Sequence, residues 1–360
     1  MRWLSLVLLV GCGQNLVEDE IEGMRWLSGA VKTGSSGKVT LEFETTPVDT
    51  SFLLNTQASG TRTHVVRVHD PLGNRVFDAI EEANGDYSTT NAGYISPVAT
   101  LNWPRIPDDV LSVGTWRVEL GHVSDRDSYV RGDLAVDVLF AEDPIPSSGV
   151  VPIALVWAGG TDDDPDLVEA VQEALFQWEI LYAAAGLELD LTEFSMPDVA
   201  LAAPALGTDP TWRDIAESVG PLKIPVVIAP DILDVEDVLG IAGDIPGPLN
   251  PSVRSGVLVN ALLSAGPDGE FDTEDIRILG ETLAHETGHF LGLYHPVELT
   301  WDSWDALADT VECKNESKCT DTMADHLMFP FPVCTFSGCT DQDVITADQA
   351  SVMNHYTGIR

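Results

Sequence analysis

The segment HETGHFLGLYH places three histidines and a glutamate within eleven residues. On a helix, His285 and His289 are one turn apart and project from the same face, so they can share a metal ion. Glu286 lies beside them, within reach of a water molecule on that metal. Gly292 can adopt a left-handed conformation that ends the helix, so the chain can turn back and present His295. The spacing predicts a zinc site with three protein ligands and an open catalytic position.

This arrangement predicts hydrolysis by a zinc-activated water. Zinc lowers the pKa of its bound water towards about 7, and Glu286 is expected to act as the general base that later protonates the leaving amine. At ordinary residue frequencies, the five fixed positions of HExxHxxGxxH occur by chance on the order of 10⁻⁵ times per chain of this size. A helix whose histidines only fill a core is the alternative.

The motif needs a helix to carry it, and that helix is predicted to begin near Thr273. Thr273 can cap it, and two acidic residues, Glu274 and Asp275, suit its first turn. Apolar residues then follow at helical spacing, which predicts a buried face. They are Ile276, Leu279 and Leu283.

The sequence from residue 150 onward has the pattern of an α/β domain with a twisted sheet. A long helix is predicted after Asp164, which can cap it, with Pro165 in its first turn and Gly186 at its end. Apolar or alternating runs predict strands on either side of this helix. Those strands are predicted at 150–158, 187–194, 223–229 and 255–263.

Residues 30–141 predict an all-β sandwich, because short alternating runs are separated by turn signals such as DPLGN and NG. Three histidines in this region, His64, His69 and His122, are expected to be ordinary strand residues. The segment 142–149, EDPIPSSG, has the composition of a linker. The chain is therefore divided into a β-sandwich accessory domain and a catalytic domain at 150–360.

The N-terminus, MRWLSLVLLVGCGQN, is typical of an export signal with a short apolar core. Leu9 to Cys12 resemble the bacterial lipobox, which predicts cleavage before Cys12 and lipidation of its thiol. An ordinary secretory signal at 1–12 is the alternative. Residues 13–29 are then a polar tether, and the protein is exported and anchored to a bacterial membrane or cell surface, or secreted.

The chain is strongly acidic, with 58 acidic and 18 basic residues and a formal net charge of −40. A polyanion repels nucleic acid and anionic lipid, so neither is an expected partner, and the predicted lipid is the one membrane attachment. A solvated surface explains this charge. Calcium sites or a preference for basic substrates are the functional alternatives.

Four cysteines remain besides Cys12, and all lie near the C-terminus. They are Cys313, Cys319, Cys334 and Cys339. An even number in an exported chain predicts two disulfides. A structural zinc site is the alternative, although these spacings are poor for a zinc ribbon.

The sequence resembles the metzincin clan of zinc endopeptidases, because the five fixed residues of its HExxHxxGxxH motif are present in register. The resemblance implies a mixed sheet with two long helices and a methionine turn below the zinc. HLMFP nominates Met328 for that turn, where its thioether would pack under the histidines. Phe329 departs from the pattern, since a tyrosine that could steady an oxyanion often stands there.

Within the clan, the sequence is most similar to the pappalysin-like family over residues 150–360. The resemblance implies crossed disulfides, Cys313 with Cys334 and Cys319 with Cys339. It also implies a terminal helix capped by Thr346 and Gln349, and calcium near the cleft. Candidate calcium ligands are Asp302, Asp305 and Asp309.

Together these features predict an exported zinc metalloendopeptidase that acts on protein or peptide substrates. Such substrates are expected to lie extended along an edge strand, with residues 240–248 at the rim of the cleft. Two alternatives come from other functional classes. One is a surface protein that binds zinc without catalysis, and the other is an adhesin that works through its β-domain.

Overall fold

A computed structural model of the chain describes residues 14–142, 148–207, 209–266 and 268–360. The predicted export signal with Cys12 and most of the predicted linker lie outside these residues. The described chain forms two compact units. Unit 1 holds the described residues up to Gly85, then 90–142 and His355–Thr357, and unit 2 holds the remainder. No helix within the described ranges has the length and apolar character needed to cross a membrane.

The secondary structure is mixed, and the prediction of an α/β chain with several sheets is confirmed. The elements up to residue 142 are β1 (Gln14–Ile21), β2 (Met24–Lys32), β3 (Lys38–Thr45), β4 (Ser51–Ala58), β5 (Arg62–His69), β6 (Arg75–Asp78), α1 (Ala79–Ala83), β7 (Tyr87–Ser88), β8 (Val98–Trp103), β9 (Gly114–Val123) and β10 (Asp133–Ala141). The later strands are β11 (Gly149–Ala158), β12 (Leu187–Met196), β13 (Ile224–Ala229), β14 (Gly240–Ala242), β15 (Val257–Asn260), β16 (Trp304–Asp305), β17 (Cys334–Thr335) and β18 (Gly338–Cys339). The later helices are α2 (Pro165–Ala184), α3 (Thr211–Val219), α4 (Ala261–Ser264), α5 (Thr273–Phe290), α6 (Glu316–Met323) and α7 (Ala347–Asn354).

Unit 1 consists of two antiparallel sheets with the strand orders β1-β2-β10-β4-β8 and β3-β9-β5-β6. Alternate side chains of both sheets enter one buried core, which is rich in aromatic rings. Phe52 of β4 makes edge contacts with Phe43 of β3 at 5.0 Å and with Trp116 of β9 at 5.2 Å between ring centroids. Burial of these rings is the main stabilisation of the unit.

Residues 14–29 are not a tether, which corrects the prediction from sequence. They form a hairpin in which β1 pairs with β2 in register from Gln14↔Val31 to Ile21↔Met24, and β2 also pairs with β10. Leu27 is buried in the core. The segment looks like a polar spacer because β1 is an edge strand, where acidic side chains can face water and still pair through the backbone.

Unit 2 is built on a five-stranded sheet with the order β12-β11-β13-β15-β14. The first four strands are parallel, and β14 pairs antiparallel with β15 at the edge. Each of the four predicted strands is present, but the last one ends at Asn260. The Asn260 side chain accepts a hydrogen bond from Leu263 N and begins α4 there. Several short elements, α3 and β14 among them, have no counterpart in the sequence prediction.

The two long helices, α2 and α5, pack against each other in unit 2. Asp164 caps α2, as predicted, and its side chain accepts hydrogen bonds from the backbone of residues 166 and 167. The cap of α5 is Asp272 rather than Thr273, and it forms a capping box with Asp275. Tyr182 of α2 donates a hydrogen bond of 2.9 Å to Ala284 O of α5, one residue before the motif. The packing of α2 therefore fixes the position of the motif helix along its axis and its rotation about that axis.

The prediction of two disulfides is confirmed, but the crossed pairing is wrong. Cys313 bonds Cys319, and Cys334 bonds Cys339. Cys334 and Cys339 face each other across the β17–β18 hairpin, with their Cα atoms 3.8 Å apart. Cys313 and Cys319 are buried together in a small core with Met323. Each pair is thus brought together by local chain geometry.

The close contact of α2 with α5 generates a prediction about stability. A Cβ atom at Gly280 would lie 2.8 Å from Ala174 O and 2.8 Å from Gln177 Cβ. Gly280→Ala should therefore lower the free energy of unfolding by about 1–3 kcal/mol, although alanine favours helix more than glycine does. Denaturant unfolding measures this change. Gly34→Ala, where the nearest atom is 3.8 Å away, is the control, and equal stability of the two variants would contradict the prediction.

Candidate metal centre

Three imidazole rings converge at the end of α5. His285 and His289 lie one turn apart on the helix, which ends at Phe290. Gly292 has φ +109°, and Leu293 N donates to Gly288 O at 3.0 Å, so the chain reverses as the motif predicts. The Nε2 atom of His295 then lies 3.1 Å from that of His289 and 3.3 Å from that of His285.

The second nitrogen of each ring, Nδ1, is held by an acceptor. His285 Nδ1 donates to Leu327 O at 2.7 Å, and His289 Nδ1 donates to Leu293 O at 2.7 Å. A carbonyl oxygen only accepts, so in the neutral ring the proton is on Nδ1 and Nε2 carries a lone pair. The Nε2 lone pairs of His285 and His289 therefore point towards the small volume that His295 Nε2 also faces.

These residues fit a zinc ion. At zinc–nitrogen distances of 2.0–2.1 Å, two ligands of a tetrahedral site are separated by about 3.3 Å, close to the distances between the Nε2 atoms. Burial lowers the pKa of His285 to about 3, assisted by the charge of His295 and opposed by the Leu327 carbonyl. Burial lowers the pKa of His289 well below its ordinary value for the same reason. Both rings are therefore neutral near pH 7, as metal ligands must be.

Glu286 lies between this cluster and the edge of the sheet. Its side chain is buried, and a Cβ atom at Gly240 of β14 would lie 2.7 Å from Glu286 Cγ. Burial raises the pKa of Glu286 to about 8, opposed by a hydrogen bond from the backbone of Ala242. A nearby cation would favour the ionised form of this carboxyl group. The predicted base is thus held against β14, beside the histidines.

A cleft of about 330 Å³ opens beside His285 and Glu286. One part of its wall is residues 237–240, which lead into β14, and another part is residues 329–332. The α5 side chains Ile278 and Thr282 also line it. The lining of the cleft is more apolar than polar. Part of the predicted rim, Gly240, is therefore at the cleft, together with the unpredicted residues 237–239.

Met328, nominated for the methionine turn, is fully buried beneath α5. Its Sδ atom lies 2.9 Å from the position that a Cβ atom at Gly288 would take. The preceding residue, Leu327, supplies the carbonyl that holds His285. Phe329 is also buried and lines the cleft. The HLMFP segment therefore contacts the histidine cluster through its backbone and packs against the helix through its thioether.

Sequence reasoning missed Glu298. Its Oε2 atom accepts a hydrogen bond of 2.9 Å from His295 Nδ1, so the third histidine has a carboxylate where the other two have carbonyls. Glu298 stands three residues after His295 in an irregular segment, where spacing alone predicts no contact. A charged acceptor raises the basicity of the imidazole as a ligand and fixes the orientation of its ring.

The three candidate calcium ligands do not form a metal site with each other. Within the described residues, the one group of three or more potential ligands with mutually close ligand atoms is the histidine cluster. Asp309 instead accepts hydrogen bonds from Thr346 Oγ1 and Asp348 N. Asp305 is buried and accepts from Thr310 Oγ1, and its Oδ2 atom has no hydrogen-bond partner within the described chain.

The predicted capping box at the start of α7 is present. Thr346 and Gln349 form the predicted capping box of α7, through Thr346 N to Gln349 Oε1 at 3.0 Å and Gln349 N to Thr346 Oγ1 at 3.2 Å. In unit 1, His64 bonds Tyr129 Oη at 2.9 Å and His122 bonds Thr61 Oγ1 at 2.7 Å. These hydrogen bonds are those of ordinary strand residues.

No protein-family model and no curated protein matches the sequence. Among solved structures, myroilysin is similar at 14% identity, with 58% of this chain and 92% of that chain covered and a TM-score of 0.27. Metalloproteinase-II from Bacteroides fragilis is similar at 12% identity, with 93% and 83% covered and a TM-score of 0.35. A family two carbohydrate esterase from Clostridium thermocellum has a TM-score of 0.17 at 9% identity, with 59% and 64% covered. At these low values, none of the similarities establishes a family.

The contact between Glu298 and His295 predicts that Glu298 helps the histidine cluster to retain a metal ion. Glu298→Ala should weaken zinc affinity about 10- to 100-fold, because His295 loses the acceptor that orients it. Competition with a chelator of known affinity measures this loss without any substrate. Glu298→Gln keeps an acceptor oxygen and should retain more of the affinity. Wild-type affinity in Glu298→Ala would show that the contact has no part in binding.

The raised pKa of the buried Asp305 predicts that the stability of the protein depends on pH. Burial, together with the charges of Asp309 and Asp348, raises its pKa to about 7, against the opposing hydrogen bonds of Thr310 Oγ1 and Leu307 N. The folded chain therefore keeps this proton up to about pH 7, whereas the unfolded chain releases it near pH 4. Between these values, stability falls as pH rises, and it no longer changes through this group at higher pH.

Asp305→Asn removes the ionisation and should gain stability relative to wild type across that range. The gain is up to about 4 kcal/mol, at 1.36 kcal/mol for each unit of pKa shift. Urea unfolding at pH 4, 5.5 and 7 measures it. Asp302→Asn changes an exposed carboxylate nearby and is the control. The same pH profile in both variants would rule out a raised pKa at Asp305.

Proposed function

We propose that the protein is a zinc-dependent endopeptidase in which His285, His289 and His295 hold the metal and Glu286 is the general base. One observation carries this proposal. The Nε2 atom of His295 lies 3.1 Å from that of His289 and 3.3 Å from that of His285. The three rings lie beside the buried carboxyl group of Glu286, in a cleft bounded by an edge strand. This combination provides a ligand set, a base and a place for an extended substrate.

The residues of the chain have separate tasks in this mechanism. When bound, zinc supplies Lewis acidity that lowers the pKa of water towards about 7 and polarises the scissile carbonyl. Glu286 accepts a proton from the attacking water as the water oxygen bonds to the carbonyl carbon. As the carbon–nitrogen bond breaks, Glu286 returns this proton to the amine that leaves. Met328 acts as the packed floor under the histidine helix and makes no bond to the metal.

The substrate is a polypeptide in extended conformation. Within the described chain β14 is the last strand of its sheet, so its outer edge can pair with a substrate strand. Such pairing recognises the backbone of any sequence and brings a peptide bond past Glu286. The apolar walls of the cleft would receive side chains next to that bond.

The protein works outside the cytoplasm in this proposal. Its two disulfides, Cys313–Cys319 and Cys334–Cys339, support an oxidising compartment. The export signal and lipidation at Cys12 remain proposals from sequence. Unit 1, with its two antiparallel sheets, is proposed as a β-sandwich accessory domain that begins at β1 rather than at residue 30.

Glu286→Gln tests the mechanism. The variant should bind about one zinc per chain, because the three histidines are unchanged. It should cleave a mixed peptide library about 10²- to 10⁴-fold more slowly than wild type, because it lacks the base. Metal analysis and peptide cleavage, with and without a chelator, measure both properties.

Glu179→Gln, an exposed glutamate of α2, is the matched control and should cleave like wild type. Undiminished cleavage by Glu286→Gln would refute the assignment of the base. A wild-type protein that binds zinc and cleaves no peptide would refute the peptidase proposal and leave a zinc-binding protein.

A further inference from the structure

A small, rigid projection stands beside the cleft. Strands β17 and β18 form a hairpin that is closed by the Cys334–Cys339 disulfide, and Thr335 Oγ1 bonds Gly338 O at 3.1 Å within it. Phe336 at its tip is fully exposed to solvent. Exposure of a whole phenylalanine ring is unfavourable in water, and a constrained aromatic ring loses little entropy when it binds.

The hairpin is fastened to the first turns of α5. Cys339 N donates to Glu274 Oε1 at 2.6 Å, and Arg277 donates to Cys339 O at 3.2 Å and to Thr340 O at 3.4 Å. Arg277 is itself held by the buried Glu281 at 2.6 Å. The hairpin also follows directly on the cleft wall at 329–332. Its position relative to the cleft is therefore fixed by side chains and by the chain itself.

A groove between α2 and α5 borders this hairpin. It has a volume of about 870 Å³ and contains Glu274, the residue that holds the hairpin. Its apolar surface comes from Phe176, which is 65% exposed, and from Ile276. Glu169 and Glu173 line the same groove. This surface, defined as Phe336 of the hairpin with Phe176, Ile276 and these glutamates of the groove, thus offers apolar groups and negative charge, since Arg277 in the groove is paired with Glu274 and Glu281.

We propose that this surface is a docking site for a segment of the polypeptide substrate that is both basic and apolar and lies outside the cleft. The inference rests on the proposed peptidase function. Phe336 and Phe176 would anchor apolar side chains, and Glu169 and Glu173 would pair with arginine or lysine. The acidic groups and the net charge of −40 favour this occupant over an anionic membrane.

The test compares three kinds of substrate of the full protein. The first is an eight-residue peptide that the library shows to be cleaved. The others carry the same eight residues with a twelve-residue extension, composed either of arginine and leucine or of glutamate and leucine, placed at each end in turn. The wild-type protein should cleave the arginine–leucine form with a kcat/KM at least about fivefold higher than the short peptide, mainly through a lower KM.

Phe336→Ala should remove most of this advantage and leave cleavage of the short peptide unchanged, and Glu169→Gln with Glu173→Gln should reduce it. Leu72→Ala, which removes another highly exposed apolar side chain, is the control and should retain it. An equal kcat/KM for all three kinds of substrate, or an advantage that survives in Phe336→Ala, would overturn the docking site. Absence of any cleaved peptide in the library, before the extended substrates are made, would instead overturn the proposed function.

Discussion

The orientation of three imidazole rings is the constraint on which the rest of unit 2 depends. Each Nδ1 atom must meet an acceptor so that each Nε2 lone pair can point to a common centre. The acceptors come from three places, namely the HLMFP segment, the turn after α5 and Glu298. Three regions of chain must therefore be packed correctly before the histidines can bind one ion, which explains why α5 is supported by buried contacts on so many sides.

The parts of the site that follow from helical geometry are those that the sequence predicts well. The spacing of His285 and His289, and the reversal at Gly292, depend on residues a few positions apart, so the motif specifies them. The caps at Asp164 and at Thr346 with Gln349 are equally local. For these features, neighbouring residues in sequence are also neighbours in space, and no tertiary information is needed.

Features that depend on distant parts of the chain could not be predicted in the same way. Glu298 meets His295 through an irregular loop, and β1 is recognised only by its pairing with β2. The crossed disulfides were inferred from resemblance, whereas the actual pairs depend on the β17–β18 hairpin and on the turn before α6. Strand β14 has three residues, too few for a periodic signal, although it forms one wall of the site.

One face of α5 connects the hairpin with the histidine cluster. Glu274, Arg277, Glu281 and His285 are spaced by three or four residues, so they follow one another along that face. The first three bind the end of the hairpin and the residues that follow it, Cys339, Thr340 and Gln342, and the fourth belongs to the histidine cluster. A shift or rotation of this helix would therefore move the hairpin and His285 together. Because one helix carries both, it fixes the distance between the hairpin and the histidine cluster.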